Sequence, residues 1–559
     1  MYASTMTSPY DTYTSPLAER NASPEMLRLW SPRHKFNTWR RIWLAVAEAQ
    51  HELTTQRADR ASDRTSNQAS ASTELVTREQ VEELRAVVER GITDDEIRAA
   101  EKYERELRHD VMAHVHALGD SCPKAKGIIH LGMTSQDVVC NADLLIIQRA
   151  LGLVEAKINR CVVALGDEAE RSKQIPALGF THYQPAQPVT VGRRAAQWAH
   201  DLLPRRDAVL SANVFSSMYR GLRGATGTQA SYLALLGEGG LIDELEHRFL
   251  WRMQRLQNPE ITRIDDEDEE IHNYQPRSRE RCGMSPDDLS RAYANRAYML
   301  SAQTYPRVVD AEILADLAST ASVLHKIATD IRLLCNRKEL DEPFETKQIG
   351  SSAMPYKRNP MRCERICGLT RFVMNLVGNA YDTAATQWLE RTLDDSSNRR
   401  LSLPEAFLAL DGALDLMHNV ASGLIVHEAM VKKNLMAELP FMATENILMA
   451  CVKLGGDRQH YHELIRVHSQ AAGQRVKDEG LDNDLIERLK TDKNFWGKAR
   501  GGPLAGELNW DGLMDPMKYI GRSIEQTERF IKEVVEPLRE QYGGEGGAIE
   551  KLGQSGPRV

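Results

Sequence analysis

The sequence predicts an all-α fold, and three stretches carry that expectation. Leu144, Ile147, Leu151, Val154, Ile158, Cys161 and Leu165 alternate spacings of three and four with no proline among them. Leu314, Leu317, Ala321, Leu324, Ala328, Ile331 and Cys335 form a second seam, and a third starts at Pro360 and takes in Ile366, Leu369, Val373 and Leu376. Apolar stripes of this period belong on helices, and helices this long must cover their stripes with partners, so a multi-helix bundle is expected at the centre. Small residues such as Ala321 and Ala328 let neighbouring helices approach closely. A chain of 559 residues exceeds what one core accommodates. It divides into an N-terminal helical domain (1–133), a central long-helix bundle (134–426) and a C-terminal helical domain (427–559) whose Gly-rich tail follows Tyr542.

Composition narrows the function. Hydrophobic residues make up 42% and charged residues 27%, and the net charge of −8 gives no global case for binding nucleic acid or an acidic membrane. An anion site must therefore be local. No apolar run of about 18 residues occurs. The polar stretch from Met1 to Arg20 lacks the apolar core of a signal peptide, so a cytoplasmic location is expected. The eight cysteines form no CxxC pair, which fits reduced thiols rather than a disulfide framework or a zinc site. Cys363 and Cys367, four apart on one expected helix, read as core packing.

Along the chain, Phe36, Trp39, Trp43 and Val46 place an amphipathic helix over Lys35 to Leu53. From Thr54 to Thr73 no side chain exceeds alanine in apolar bulk, so a disordered insertion is expected there. Arg108-His109-Asp110, followed by His114 and His116, raises the question of a metal. On a helix His109 and His116 fall near one face while His114 points elsewhere, and no carboxylate completes the set at i+4, so no metal is expected. Two shorter stretches, His130-Leu131-Gly132-Met133-Thr134-Ser135-Gln136-Asp137 and Gly179-Phe180-Thr181-His182-Tyr183-Gln184-Pro185, read as a turn and a loop. A second insertion is expected from about Glu246 to Pro286, around the self-repelling run Asp265 to Glu270.

The segment Gln348 to Pro360 has the make-up of a catalytic loop. Gly350-Ser351-Ser352 is a mobile turn carrying hydroxyls, and Asn359-Pro360 reads as an N-cap followed by the first helical residue. A helix is then expected from Pro360. Lys357, just upstream, sets a point charge beside free backbone N–H groups, where an anionic substrate would bind. Taken alone, the same residues also suit an ordinary loop-to-helix junction.

Gly-Ser-Ser-x-Met-Pro-x-Lys-x-Asn-Pro is similar to the signature of the fumarase/aspartase superfamily. Together with Glu390 to Arg400 and Leu439 to Asn446, the stretches above resemble the adenylosuccinate lyase family from about Ser15 to about Tyr542, with two interruptions. The resemblance implies elimination of fumarate from adenylosuccinate to give AMP, and from the succinyl-carboxamide ribonucleotide of purine synthesis, with no cofactor. It makes Ser351 the base that removes a proton beside a carboxylate, and His182 the acid that protonates the departing nitrogen. A serine is a poor base unless its oxyanion is stabilised, and Lys357 with the loop amides could do so. Imidazole exchanges protons near neutral pH, which suits the acid.

The remaining assignments also come from the resemblance. Arg20 would hold the substrate phosphate, and Asn21 stands where the family usually has tyrosine. Arg108, His109 and Asp110 would meet substrate, and Thr134 and Ser135 would donate to a substrate carboxylate. Thr181, Gln229, Lys357 and Asn359 join the substrate set. Arg365, Arg391, Ser396 and Arg400 would hold the nucleotide phosphate and the succinyl carboxylates. An arginine-rich set favours a phosphorylated substrate over those of argininosuccinate lyase, aspartase or fumarase. A non-catalytic helical scaffold would be expected to lack Ser351 or His182, and both are present. The family implies a homotetramer with each site built from three subunits, so His182 and Ser351 are expected from different chains.

Overall fold

A computed structural model describes residues 11–62, 75–215, 218–257, 297–543 and 552. An N-terminal helical layer comes first, with α1 (Pro24–Leu29), α2 (Pro32–Ser62), α3 (Arg78–Arg90), α4 (Asp94–Leu107) and α5 (Asp110–Ser121). Capping boxes start α3 and α4, pairing Thr77 with Gln80 and Thr93 with Glu96, so that side chains satisfy the first free backbone donors. Trp39, Trp43 and Val46 are buried as expected, with Phe36 partly buried against them. Glu96 ties the layer together, accepting from Arg40 at 3.1 Å, Arg90 at 2.9 Å and the Ser121 hydroxyl at 2.6 Å.

Both expected insertions begin later than the composition suggests. α2 runs on to Ser62, and Thr54 is buried, its hydroxyl donating to the carbonyls of Gln50 and His51. A polar sequence extends a helix from a packed nucleus because each further residue adds one backbone bond. Residues 63–73 lie outside the described residues. Glu246 to Gln257 likewise belong to α9 (Gly239–Gln257), whose Phe249, Leu250 and Met253 join the N-terminal core. Residues 258–286 lie outside the described residues.

The bundle consists of α6 (Ser135–Ser172), α7 (Val191–Phe215), α10 (Val308–Asn336), α11 (Met361–Ala385) and α12 (Asp394–Ser422). A hairpin of β1 (Pro176–Thr181) and β2 (Gln184–Thr190) joins α6 to α7, and α8 (Ala230–Leu236) precedes α9. The seven seam residues of α6 are all fully buried. Ile366 and Val373 of α11 are buried too, while Leu369, Leu376 and Cys335 are partly covered. Cys363 and Cys367 pack in this core. Within it, Lys157 pairs with Asp411 at 2.5 Å and Asp415 at 2.8 Å, and Arg160 pairs with Asp415 at 2.6 Å. Asp411 also accepts the Ser23 N–H at 2.6 Å, which docks the N-terminal segment onto α12.

α6 has 38 residues and so spans about 57 Å at 1.5 Å per residue. Arg399 joins its beginning to the starts of α10 and α12, reaching Asp143 at 3.0 Å and Asp310 at 2.5 Å. At the far end, Arg337, just after α10, lies 4.8 Å over the Phe180 ring of the hairpin. β3 (Leu340–Asp341) and β4 (Ile425–Val426) pair there, antiparallel.

The chain continues through α13 (Glu428–Met442), whose Val431 packs in the bundle core, to α14 (Thr444–Lys453), α15 (Arg458–Glu479), α16 (Leu485–Thr491) and α17 (Trp510–Leu513), which gather around a separate core that includes Ile447, Tyr461 and Leu489. α18 (Ser523–Phe530) and α19 (Glu536–Tyr542) then return to the bundle. Val535 sits where a Cβ on Gly166 would lie 2.7 Å away, so that contact requires glycine. Among the described residues no single helix is long and apolar enough to cross a membrane.

Candidate active site

The sequence-predicted residues gather at the two ends of the bundle. Where α6 begins, His109 caps α5, its Nδ1 accepting the Met112 N–H at 3.3 Å. Nε2 then carries the proton and faces the Ser135 hydroxyl at 3.3 Å. Arg108 ends α4 in the left-handed region (φ 54°) and is exposed. Asp110 pairs with Arg400 at 2.5 Å. Burial opposes the charge of Asp110, yet the Arg400 guanidinium and the Val111 N–H hold its carboxyl below the ordinary range. Of the other two histidines, His114 stacks on Phe36 with ring centroids 3.8 Å apart, and burial brings its pKa down to about 4. His116 stacks on Tyr103.

Asp137 organises the neighbouring turn. It accepts the Thr134 N–H at 2.7 Å and the Arg223 N–H at 2.9 Å, and pairs with the fully buried Arg220. That fixes the loop leading to Gln229, which is left-handed (φ 57°) and whose amide donates to the Leu222 carbonyl at 3.0 Å. On the α12 side, Arg391 donates to Gln303 at 3.0 Å, to Ser396 at 2.9 Å and to Asp395 at 3.3 Å. Gln303 also donates to the Ala225 carbonyl, so the Gln229 loop and Arg391 belong to one assembly. A cavity of about 280 Å³ opens beside it, lined by Lys35, Gln136, Asp143, Ser396 and Arg400 among others.

At the other end of α6, His182 and Tyr183 form the two-residue turn of the hairpin, with φ of 53° and 57°. A turn with both central residues left-handed usually takes Asn-Gly, so two residues with large side chains hold it under strain. His182 and Thr181 are exposed at its tip.

The predicted catalytic loop lies at this same end, between α10 and α11. A Cβ at Gly350 would meet the Lys357 carbonyl at 2.1 Å, so the fold of the loop depends on glycine there. The Ser351 Oγ accepts the N–H groups of Ala353 at 3.3 Å and Met354 at 3.1 Å. Lys357 is exposed. The helix boundary differs from expectation: α11 starts at Met361, Pro360 occupies the cap position, and Asn359 donates instead to the Gly350 carbonyl at 2.8 Å. Glu342 does the capping, accepting the N–H groups of Arg362 at 2.9 Å and Cys363 at 3.1 Å. A buried carboxylate is a stronger acceptor for a helix N-terminus than an amide side chain, so the expected anion seat is filled from within the chain. Burial pushes the Glu342 carboxyl up, against the pull of those two N–H groups.

Arg365 follows in α11, and its pKa is lowered first by burial and then by the nearby Arg20 and Arg362 cations. Cations held close together in this way suit a multiply charged anion. Asn21 turns its side chain back to the Pro16 carbonyl at 2.9 Å, while its backbone packs against Gly412. Gln303, Asp395 and Glu342 were missed from sequence. Gln303 carries no local signal beyond its place before Thr304-Tyr305, and Asp395 sits in a run that reads as a wet face.

The chain therefore carries two groups of sequence-predicted residues, towards opposite ends of its bundle. The fold has counterparts among solved structures. The 3-carboxy-cis,cis-muconate lactonizing enzyme from Pseudomonas putida superposes with a TM-score of 0.69 at 21% identity, covering 94% of this chain and 99% of that one. A fumarate lyase from Mesorhizobium sp. BNC1 gives 0.67 at 19% identity, over 93% and 99%. A family model described as Lyase matches residues 21–234 and 296–375, so fold and sequence together define a helical lyase. A second model, Adenylosuccinate lyase C-terminus, matches residues 440–530. Adenylosuccinate lyases of Schizosaccharomyces pombe and Saccharomyces cerevisiae are 44% and 43% identical to it, over 94% of this chain and 95% of each relative. The chain belongs to the adenylosuccinate lyase family.

Proposed function

We propose that the chain eliminates fumarate from adenylosuccinate to give AMP, and from succinylaminoimidazole carboxamide ribonucleotide to give the carboxamide ribonucleotide, in cytoplasmic purine synthesis. The observation that carries the mechanism is the seat of Ser351, whose Oγ accepts two loop N–H groups. Those donors favour the alkoxide over the hydroxyl, which a serine base needs. Ser351 removes the proton beside a substrate carboxylate, the carbanion is spread into that carboxylate, and His182 protonates nitrogen as the C–N bond breaks. Arg20 and Arg365 hold the phosphate together with Arg391, Ser396 and Arg400, and His109, Thr134 and Ser135 meet the succinyl group. Closure of the Gly-Ser-Ser loop excludes water.

The active form is a homotetramer. Groups of residues at opposite ends of α6, a helix about 57 Å long, do not serve one substrate within a subunit, and neighbouring subunits supply the missing parts. Exposed apolar side chains at Phe372, Tyr381, Trp388, Leu389, Leu393 and Leu401 on and between α11 and α12 support burial against other copies. The test is direct: purified protein is given adenylosuccinate and followed by absorbance. Release of AMP and fumarate is expected, and their absence would overturn the activity.

A further inference from the structure

We propose that Asp395 is the residue that positions Arg391 and Ser396 for substrate, with Arg307 as the brace that holds Asp395 in place. Its carboxylate is fully buried, and its two oxygens have separate partners. Oδ2 accepts from Arg307 through both Nε at 2.8 Å and Nη2 at 2.7 Å. Oδ1 accepts from Arg391 at 3.3 Å and from the Ser396 hydroxyl at 3.4 Å.

Arg391 also donates to the Ser396 Oγ at 2.9 Å, so the three side chains close a ring with one arrangement of protons. The guanidinium offers N–H to Ser396, Ser396 passes its own O–H to Asp395, and Asp395 only accepts. Gln303 holds the opposite side of the same guanidinium. The Arg391 side chain is 11% exposed, so it keeps a small outward face while the rest is fixed. Arg307 is buried and lies 4.5 Å over the Tyr305 ring, which leaves it little freedom to let Asp395 move. A buried carboxylate shared by two arginines aims the outer one before substrate arrives, and this lowers the ordering cost of binding.

The inference rests on Arg391 meeting substrate, as assigned above. Asp395→Asn keeps the shape but points an amide N–H at one of two arginines. Relative to the unaltered tetramer, KM for adenylosuccinate is expected to rise by about tenfold or more while kcat changes by less than about threefold. Melting temperature is measured alongside. A double variant, Arg307→Met with Asp395→Asn, removes the buried charge imbalance but still leaves Arg391 without its carboxylate. It should recover melting temperature while KM stays high, and it carries the test if the single variant does not fold. A wild-type KM in Asp395→Asn, or a double variant whose KM recovers along with its stability, would overturn the positioning role. The unaltered chain in the same assay separates this from the activity itself: if it turns over adenylosuccinate, only the inference fails, and if it does not, both fall.

Discussion

The two ends of the bundle are built differently. Where α6 begins, the proposed substrate-binding residues sit at or near helix termini and are held by partners: His109 by Met112 and Ser135, Arg400 by Asp110, Arg391 by Gln303, Ser396 and Asp395. Where α6 ends, the two proton-transfer candidates ride on a strained hairpin tip and a glycine-dependent loop, and both are at least partly open to solvent. Groups that recognise charge gain from being fixed in advance, whereas groups that act only as bonds change are best on segments that close over a bound substrate.

The largest expected effect tests the mobile end. Ser351→Ala should bind substrate nearly as well as the parent and lose turnover by roughly three or more orders of magnitude, since the base proposed at this position would act in the transition state. Near-normal turnover would remove Ser351 from the role of base.

A mixing experiment tests whether the two proton-transfer candidates of the mobile end come from different subunits. Inactive His182→Ala and Ser351→Ala proteins, dissociated and reassembled together, should recover about a quarter of parental activity in a closed symmetric oligomer. Activity that stays at the level of the separate variants, despite confirmed subunit exchange, would put both residues in one chain. Repeating the mix with His109→Ala and Ser351→Ala, from opposite ends, sharpens the comparison, and the same recovery is expected.

Stability tests the locked end. Glu96 holds the layer that presents Arg108 and His109, and its carboxyl is lowered to about 2; burial works against the charge, and the Ser121 and Thr93 hydrogen bonds and the Arg40 charge outweigh it. A carboxyl with a depressed folded-state pKa stabilises above its ordinary value of 4.5, and that contribution is lost as pH falls from 4.5 toward about 2. Glu96→Gln should therefore cost about 3 kcal/mol near neutral pH by leaving Arg40 buried without its carboxylate. It should also flatten the acid side of the stability profile. Denaturant melts at several pH values measure both, and an unchanged profile would remove Glu96 as the clamp.

The smallest effect is expected from deleting residues 63–73, which should leave turnover and assembly unchanged. Extending the deletion back to Thr54 should lower stability, because it removes turns of α2 whose first residue is buried. Equal behaviour of the two deletions would mean that those turns carry no load.

The seams of α6, α10 and α11 were legible in the sequence because a 3.6-residue period is a local property that survives any arrangement of neighbours. The signature loop was legible for a related reason: Gly350 is demanded by a close approach only seven residues away, so its cause lies within the motif. The cap of α11 was not legible. Asn359 beside Pro360 has the local chemistry for it, but Glu342, twenty residues before Arg362, makes the stronger bond once buried. Asp395 follows the same rule, since the strand of charges around it looks solvated until Arg307 closes on it from 88 residues away. Local periodicity and turn chemistry thus determined the elements and the motif. Which carboxylate meets which cation was decided only by tertiary structure, because the strength of such a pair depends on how much water the fold removes from it.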